Sequence, residues 1–417
     1  MNKDLDLKKI KRMFFIGIGG IGISALAKMA ISCGIEVGGV NDEEGKTVDS
    51  LIELGVDVIM SKVPFDIPEA DLYVYSDAWL YRGPEIIEEA KKTGKPVLSY
   101  FKVLGQFARN YKVIAVSGTH GKTTTTAMIA DIMIDAGFDP TVIVGSFVKK
   151  FNSNFRKGNS EYLVVEADEY NRHFLNFAPF IAVVTNIEAD HLDCYKDLDD
   201  IRNAFADFLS FSEHKITEYE KYLKKVPPLL VPGIHNRKNA AAALSVAEIL
   251  NIPEEVAKKS LSQFTGTWRR LEKRGTTKEG TVLYDDYAHH PTEIMASLEG
   301  LRELYPSKKI TVVFQPHLYS RTKALFDDFA KSFKDADFIV LLPIYFAREA
   351  KDESVSSEKL AEAIKKNGDE AVALGDFREA EEYLGLKEFN ENDVFVTMGA
   401  GEAYKIAEGV FKDTFWE

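Results

Sequence analysis

Three times along the chain, a short apolar run stops at a glycine or an acid and gives way to a helical stretch. The first cycle is RMFFIGIGGIGISALAKMAISCG, residues 12–34: a buried strand, a glycine turn, and a helix ended by Gly34. EVGGV, VDVIM, DLYVYS and PVLSY then supply further short strands. A second cycle opens with YKVIAVSG and runs through YLVVEAD and FIAVVTN, and a third opens with TVLYDDYA and runs through KITVVFQP, DFIVLLP and DVFVTMGAG. This alternation implies an α/β chain whose mostly parallel sheets are covered by helices. Fresh strands begin just past residues 108 and 273, so domains are expected at 1–108, 109–273 and 274–417. The Lys/Glu-rich stretch from Ser212 to Lys225 is expected to be a solvated helix face.

A chain of 417 residues is too long for one core and suggests two or three domains. Its net charge of −13 argues against nucleic acid as a partner, because a phosphate backbone needs a basic face. Nucleotides remain possible through a few lysines, backbone amides and a metal. The two cysteines, Cys33 and Cys194, lack metal-ligand spacing and read as reduced thiols. The charged start MNKDLDLKKIKR and the glycine-broken apolar run after it suggest neither signal peptide nor membrane span, so a cytoplasmic location is expected.

Gly17, Gly19 and Gly22 fit G-x-G-x-x-G between a strand and a helix, where unpaired helix N–H groups can meet a diphosphate. Tight strand–helix packing without a ligand gives the same pattern. Asp42, at the end of the second strand, occupies the acidic position that commonly meets a ribose hydroxyl.

SGTHGKTTTTAM, residues 117–128, is a second candidate phosphate loop, although Val116 stands where the common pattern has its first glycine. Backbone amides from Gly118 to Lys122 can wrap phosphate oxygens, Lys122 can reach the β- and γ-phosphates, and Thr123 can offer a hydroxyl to Mg²⁺. Four consecutive threonines are poor helix formers, and packing alone gives little reason for them. Glu166, followed by Asp168 and Glu169, emerges from one apolar strand; Asn186, Glu188, Asp190, His191 and Asp193 follow another. Two strands ending in acids and a histidine, after a Lys-Thr loop, point to a Mg²⁺–nucleotide site.

Taken in order, SGTHGKTTTT, EADE, TNIEADHLD, the GIHNRKNA segment from Gly233 and DDYAHHP resemble the Mur ligases of peptidoglycan synthesis, from about residue 12 to the C-terminus. In that family the loop begins G-T-x-G-K-T, which makes Gly118 its first glycine. The resemblance implies an N-terminal Rossmann-like domain, a central ATPase domain of the phosphate-loop type and a C-terminal Rossmann-like domain. It implies ATP and Mg²⁺ as cofactors and ligation of L-alanine to the lactyl carboxylate of UDP-N-acetylmuramate. By the same resemblance, Gly17, Gly19, Gly20 and Gly22 would cradle the uridine diphosphate, with Asp42 and Ser76 nearby. Gly118, Thr119, His120, Gly121, Lys122, Thr123 and Thr124 would hold ATP, with Asn236 and Asn239 on the adenine side. Arg270 would meet the phosphates and Asp285 would reach ATP from the third domain. Thr123, Glu166 and His191 would ligate metal, and Lys122, His191 and Arg270 would carry the chemistry. His290, His317 and Arg321 would surround the incoming amino acid, although a histidine pair capping a helix at Pro291 accounts for His289-His290 equally simply.

Three features depart from the family pattern. Only 44 positions separate His191 from His235, and SFSEHKITEYEKYLKKVPPLL reads as one helix and a strand where a small antiparallel sheet is usual. The adenine side of the pocket is therefore expected to be more open. Leu318 stands where some members have an arginine, which shifts amino-acid recognition toward Arg321. No lysine lies between Asp197 and Ser210, so no carbamylated metal-site lysine is expected. The rival readings are a ligase that recycles a whole tripeptide and a non-catalytic UDP-sugar-binding protein.

Overall fold

The computed structural model describes residues 6–188, 194–346 and 349–412. Its described strands form three sheets. In the first, β1 (Arg12–Ile16), β2 (Glu36–Asn41), β3 (Asp57–Met60), β4 (Leu72–Tyr75) and β5 (Val97–Ser99) lie in the order 3-2-1-4-5, all parallel. The order reverses at β1, so the loops leaving β1 and β4 flank a crevice at the carboxyl edge, the place where such sheets take ligands.

The second sheet contains β6 (Lys112–Ser117), β7 (Thr141–Val148), β8 (Ser153–Arg156), β9 (Tyr162–Glu166), β10 (Ile181–Val184) and β11 (His214–Ile216), ordered 11-10-6-9-7-8. Here β6 is central, with β9 and β10 on either side. The Lys-Thr loop that leaves β6 is thereby set between the Glu166 and Asn186 strand ends. Only β7 and β8 pair antiparallel, in a hairpin that strand–helix alternation did not foresee.

In the third sheet β12 (Glu272–Thr276), β13 (Val282–Asp286), β14 (Lys309–Phe314), β15 (Phe338–Leu341), β16 (Ala371–Ala373) and β17 (Asp393–Met398) follow the order 12-13-17-14-15-16. All neighbours are parallel except β12, which runs antiparallel beside β13.

The chain forms two compact units, Met1–Leu229 with Lys238–Phe264, and Leu230–Arg237 with Thr265–Glu417. The first two sheets share the first unit. One apolar cluster runs from Phe15 and Leu72 through Tyr100, Leu104 and Phe107 to Leu163, Val165 and Phe174. Two helices of this unit are buried almost all round. The Ile21–Ser32 helix is buried at every position from Ile23 to Ala30, because the first sheet covers one side and β7 and β8 the other. The Lys122–Asp135 helix is buried from Thr123 to Met133.

The threonine run, which packing seemed not to require, is therefore a packing element. All four side chains are buried, and Thr126 Oγ1 donates back to Lys122 O at 2.8 Å. The charged residues from Ser212 to Lys225 are mostly solvated, as expected, but they do not lie on one helix. The stretch is the short strand β11 followed by a 3₁₀ turn, Glu220–Lys225, that buries Tyr219 and Tyr222.

Candidate active site

Gly17 leaves β1 at φ +80°, and a side chain there would overlap the Trp79 ring. Most of the turn's amides are committed internally. Gly17 and Ile18 donate to Val40 O, Gly19 donates to Asn41 Oδ1 at 3.1 Å, and Gly20 donates to Gly17 O. The first turn of the Ile21–Ser32 helix, which has Gly20 at its N-cap and no side-chain cap, is the part of this segment whose N–H groups could meet a diphosphate. Ser76 lies beside Gly20. Asp42 faces Arg82 at 3.4 Å, while Asn41 ties β2 to Gly19.

The Lys-Thr loop is pinned to the end of β10. Gly118 has φ +128°, and a Cβ there would overlap Thr185 Oγ1, so no other residue fits. Thr119 N–H donates to Asn186 O, and His120 N–H donates to Asn186 Oδ1 at 2.9 Å. The Asn186 amide and the Thr185 hydroxyl both donate to His120 O, and Glu188 N–H donates to Thr119 Oγ1. Gly121 lies against the Asn239 amide oxygen. Thr124 is buried in the first helical turn.

Lys122 folds over this loop. Its ammonium donates to Gly118 O at 2.6 Å and Thr119 O at 3.1 Å, and meets Glu169 Oε1 at 2.9 Å. Burial pulls its pKa down, but the carboxylates of Glu169, Asp168 and Glu166 outweigh burial and hold it above the ordinary lysine value. Thr123 Oγ1 lies 2.9 and 3.1 Å from the two Glu166 oxygens, and Gly145 N–H donates to Glu166 Oε2 at 2.8 Å. A hydroxyl facing a carboxylate at the mouth of an amide-lined loop suits a hard cation such as Mg²⁺. His120 Nε2 lies 3.4 Å from Glu188. Asp190, His191 and Asp193 fall outside the described residues.

In the second unit Arg269, next to the expected Arg270, is the buried arginine. It donates to Asp285 Oδ2 at 2.9 Å, Gly401 O at 2.9 Å and Gly399 O at 2.6 Å. The other Asp285 oxygen accepts from Thr397 Oγ1 at 2.7 Å. Burial raises the Asp285 pKa against the pull of Arg269. Asp285, expected to reach ATP, is thus engaged on both oxygens by its own chain. Arg270 is the more exposed of the two, with its guanidinium 5.1 Å from the Tyr287 ring centre and 3.9 Å from Glu293. Asn236 is buried and donates to Pro232 O at 2.7 Å.

His290 is the N-cap of the Pro291–Leu304 helix and forms a capping box with Glu293. Its Nδ1 is occupied by Thr292 N–H at 3.3 Å, the capping role that the His-His-Pro sequence also allowed. His289 lies near His317, with the two ring centres 6.1 Å apart. His317 stacks on Tyr345 at 5.5 Å and meets Arg321 at 3.4 Å through Nδ1. Burial lowers the His289 pKa to about 4, with Glu293 opposing.

Sequence reasoning missed Asn41, Trp79, Gly145, Arg269 and Tyr345. Arg269 had a signal in its neighbour Arg270, and Asn41 in Asp42. Trp79, Gly145 and Tyr345 had none, since each acts through strands remote in the chain.

Three family models match in order: the Mur ligase family catalytic domain at residues 12–112, the Mur ligase middle domain at 116–222 and the Mur ligase glutamate ligase domain at 269–401. The UDP-N-acetylmuramate–L-alanine ligase of Acetivibrio thermocellus is 38% identical, over 98% of this chain and 97% of its own. That of Clostridium acetobutylicum is also 38% identical, over 98% of this chain and 99% of its own. The A. thermocellus alignment spans 461 positions against this chain's 417 residues, so the relative carries residues this chain lacks. The crystal structure of the UDP-N-acetylmuramate–alanine ligase from Thermotoga maritima superposes with a TM-score of 0.82 at 26% identity, covering 96% of this chain and 98% of that one. No helix among the described residues is long and apolar enough to cross a membrane. On these matches and the three-sheet α/β architecture, the chain belongs to the Mur ligase family.

Proposed function

We infer that this chain is the ligase that joins L-alanine to the lactyl carboxylate of UDP-N-acetylmuramate, with conversion of ATP to ADP and phosphate, in peptidoglycan synthesis. The observation that carries the chemistry is the Lys122–Thr123–Glu166 arrangement around a glycine loop fixed by Asn186. Full-length similarity to L-alanine ligases supports the substrates.

A carboxylate is a poor electrophile, so activation comes first. The lactyl oxygen attacks the γ-phosphorus of ATP and ADP leaves, giving an acyl phosphate. The neutral amine of L-alanine then attacks the acyl carbon; a proton leaves the nitrogen, and phosphate departs from the tetrahedral intermediate. Lys122 would turn its ammonium from Glu169 toward the phosphoryl oxygens and offset the charge building there. Arg270 would contribute a second positive charge to the phosphoryl oxygens. Mg²⁺, held by Thr123 and Glu166, would neutralise phosphate charge when bound. The first turn of the Ile21–Ser32 helix takes the uridine diphosphate. His317, Arg321 and His289 line the amino-acid side, with Arg321 paired to the alanine carboxylate. ATP and a nucleotide sugar as substrates support a cytoplasmic location for the reaction.

Phosphate release should require ATP, Mg²⁺, UDP-N-acetylmuramate and L-alanine together. Parallel reactions with glycine, L-serine and the tripeptide test the choice of nucleophile. Turnover with tripeptide alone would overturn this reading in favour of recycling, and no turnover with any would favour a binding protein.

A further inference from the structure

Asn154 on β8 has a fully buried side chain that makes three hydrogen bonds, all to a helix about 130 positions earlier. Its amide donates to Ile21 O at 2.6 Å and Ser24 Oγ at 2.8 Å, and its Oδ1 accepts from Lys28 Nζ at 2.9 Å. Lys28 is itself buried, reaches Ser153 Oγ at 3.3 Å and lies 5.4 Å from the Phe147 ring centre. Burial lowers its pKa to about 8, so the lysine is held at a desolvation cost. Ile21 and Ser24 belong to the turn that faces the proposed diphosphate site.

The same hairpin touches the other substrate's site. β8 pairs with β7 at Val142–Arg156 and Ile143–Phe155, and Gly145 on β7 donates to Glu166. One hairpin therefore holds the helix start on one strand and the Thr123–Glu166 carboxylate on the other. We propose that Asn154 is a positioning residue that locks the diphosphate helix to this hairpin, and so sets the lactyl carboxylate against the γ-phosphate. This rests on the assignment of the two sites under Proposed function. A drift of about 1 Å between reacting groups costs on the order of 100-fold in rate, which is the scale such a lock protects.

The test compares N154L, N154D and the double variant K28M/N154L in the full-length protein. N154L removes all three bonds; N154D keeps the acceptor for Lys28 but turns a carboxylate toward Ile21 O. The double variant leaves no buried lysine without its amide partner, so it covers the case in which N154L does not fold. The expected result is a fall in kcat of about tenfold or more, with dissociation constants for UDP-N-acetylmuramate alone and for a non-hydrolysable ATP analogue alone within about twofold of wild type. Unchanged kcat would overturn the proposal. So would weaker binding of each single ligand in proportion to the rate loss, which is what mere loosening of the fold predicts. Wild-type protein that fails to turn over refutes the functional reading instead. Hydrogen exchange then decides the lock: amides of the 21–32 helix should lose protection in N154D, and unchanged protection would overturn it.

Discussion

Lys122 Nζ sits 2.9 Å from Glu169 Oε1 and within 3.1 Å of two carbonyls of its own loop. The cation of the phosphate loop is therefore stored against a carboxylate, poised for a more highly charged partner. Removing it in K122A should lower kcat by about 100-fold or more, because a positioned charge at a developing oxyanion is lost. UDP-N-acetylmuramate, whose proposed site is at the first sheet, should bind K122A nearly as tightly as wild type by calorimetry. A matching loss of sugar-nucleotide binding would show that the two sites are misassigned.

Glu166 has its carboxylate fixed by Gly145, and an added Cβ at that glycine would lie 2.6 Å from Glu166 Oε2. G145A should push the carboxylate off Thr123. The expected effect is a 10–100-fold loss in apparent Mg²⁺ affinity or in kcat, roughly the cost of disturbing a residue that orients a ligand. A Mg²⁺ titration of initial rate reads it directly, and an unchanged titration would argue against Glu166 as a ligand.

Arg269 is buried at φ +54° and spans Asp285 and two glycine carbonyls. R269M should destabilise the third-sheet unit by about 3–5 kcal/mol, since it leaves the buried Asp285 carboxylate without its cation. Urea unfolding measures this loss. R269M/D285N should recover part of it, because the orphaned charge is gone; no recovery would mean that packing of the arginine dominates.

His289 provides the pH test. Its pKa falls from 6.5 to about 4 on folding, chiefly through burial. Between those values the unfolded chain binds the proton more readily, so stability rises with pH across that window and is lost as pH falls toward 4. H289Q should therefore flatten the fall in melting temperature between about pH 6.5 and 4, relative to wild type. Parallel curves for the two proteins would count against a half-buried imidazole held neutral by folding.

The sequence by itself determined the three strand–helix cycles, the parallel character of the sheets and the loop at Gly118. Each of these is written in neighbouring residues: apolar runs, glycine turns, a Gly-Lys-Thr at a strand end. Glu166 was legible for the same reason, as a carboxylate closing an apolar strand. Tertiary structure decided what those residues touch. The antiparallel β7–β8 hairpin set Gly145 on Glu166 and Asn154 on the first helix, pairings about 20 and 130 positions apart that local pattern cannot encode. Burial on all sides gave the threonines their packing role. Only the folded backbone chose Arg269 over Arg270 for the buried pair, and His290 over His289 for the helix cap. Adjacent identical residues look alike in a sequence, but the backbone directs their side chains to different surroundings.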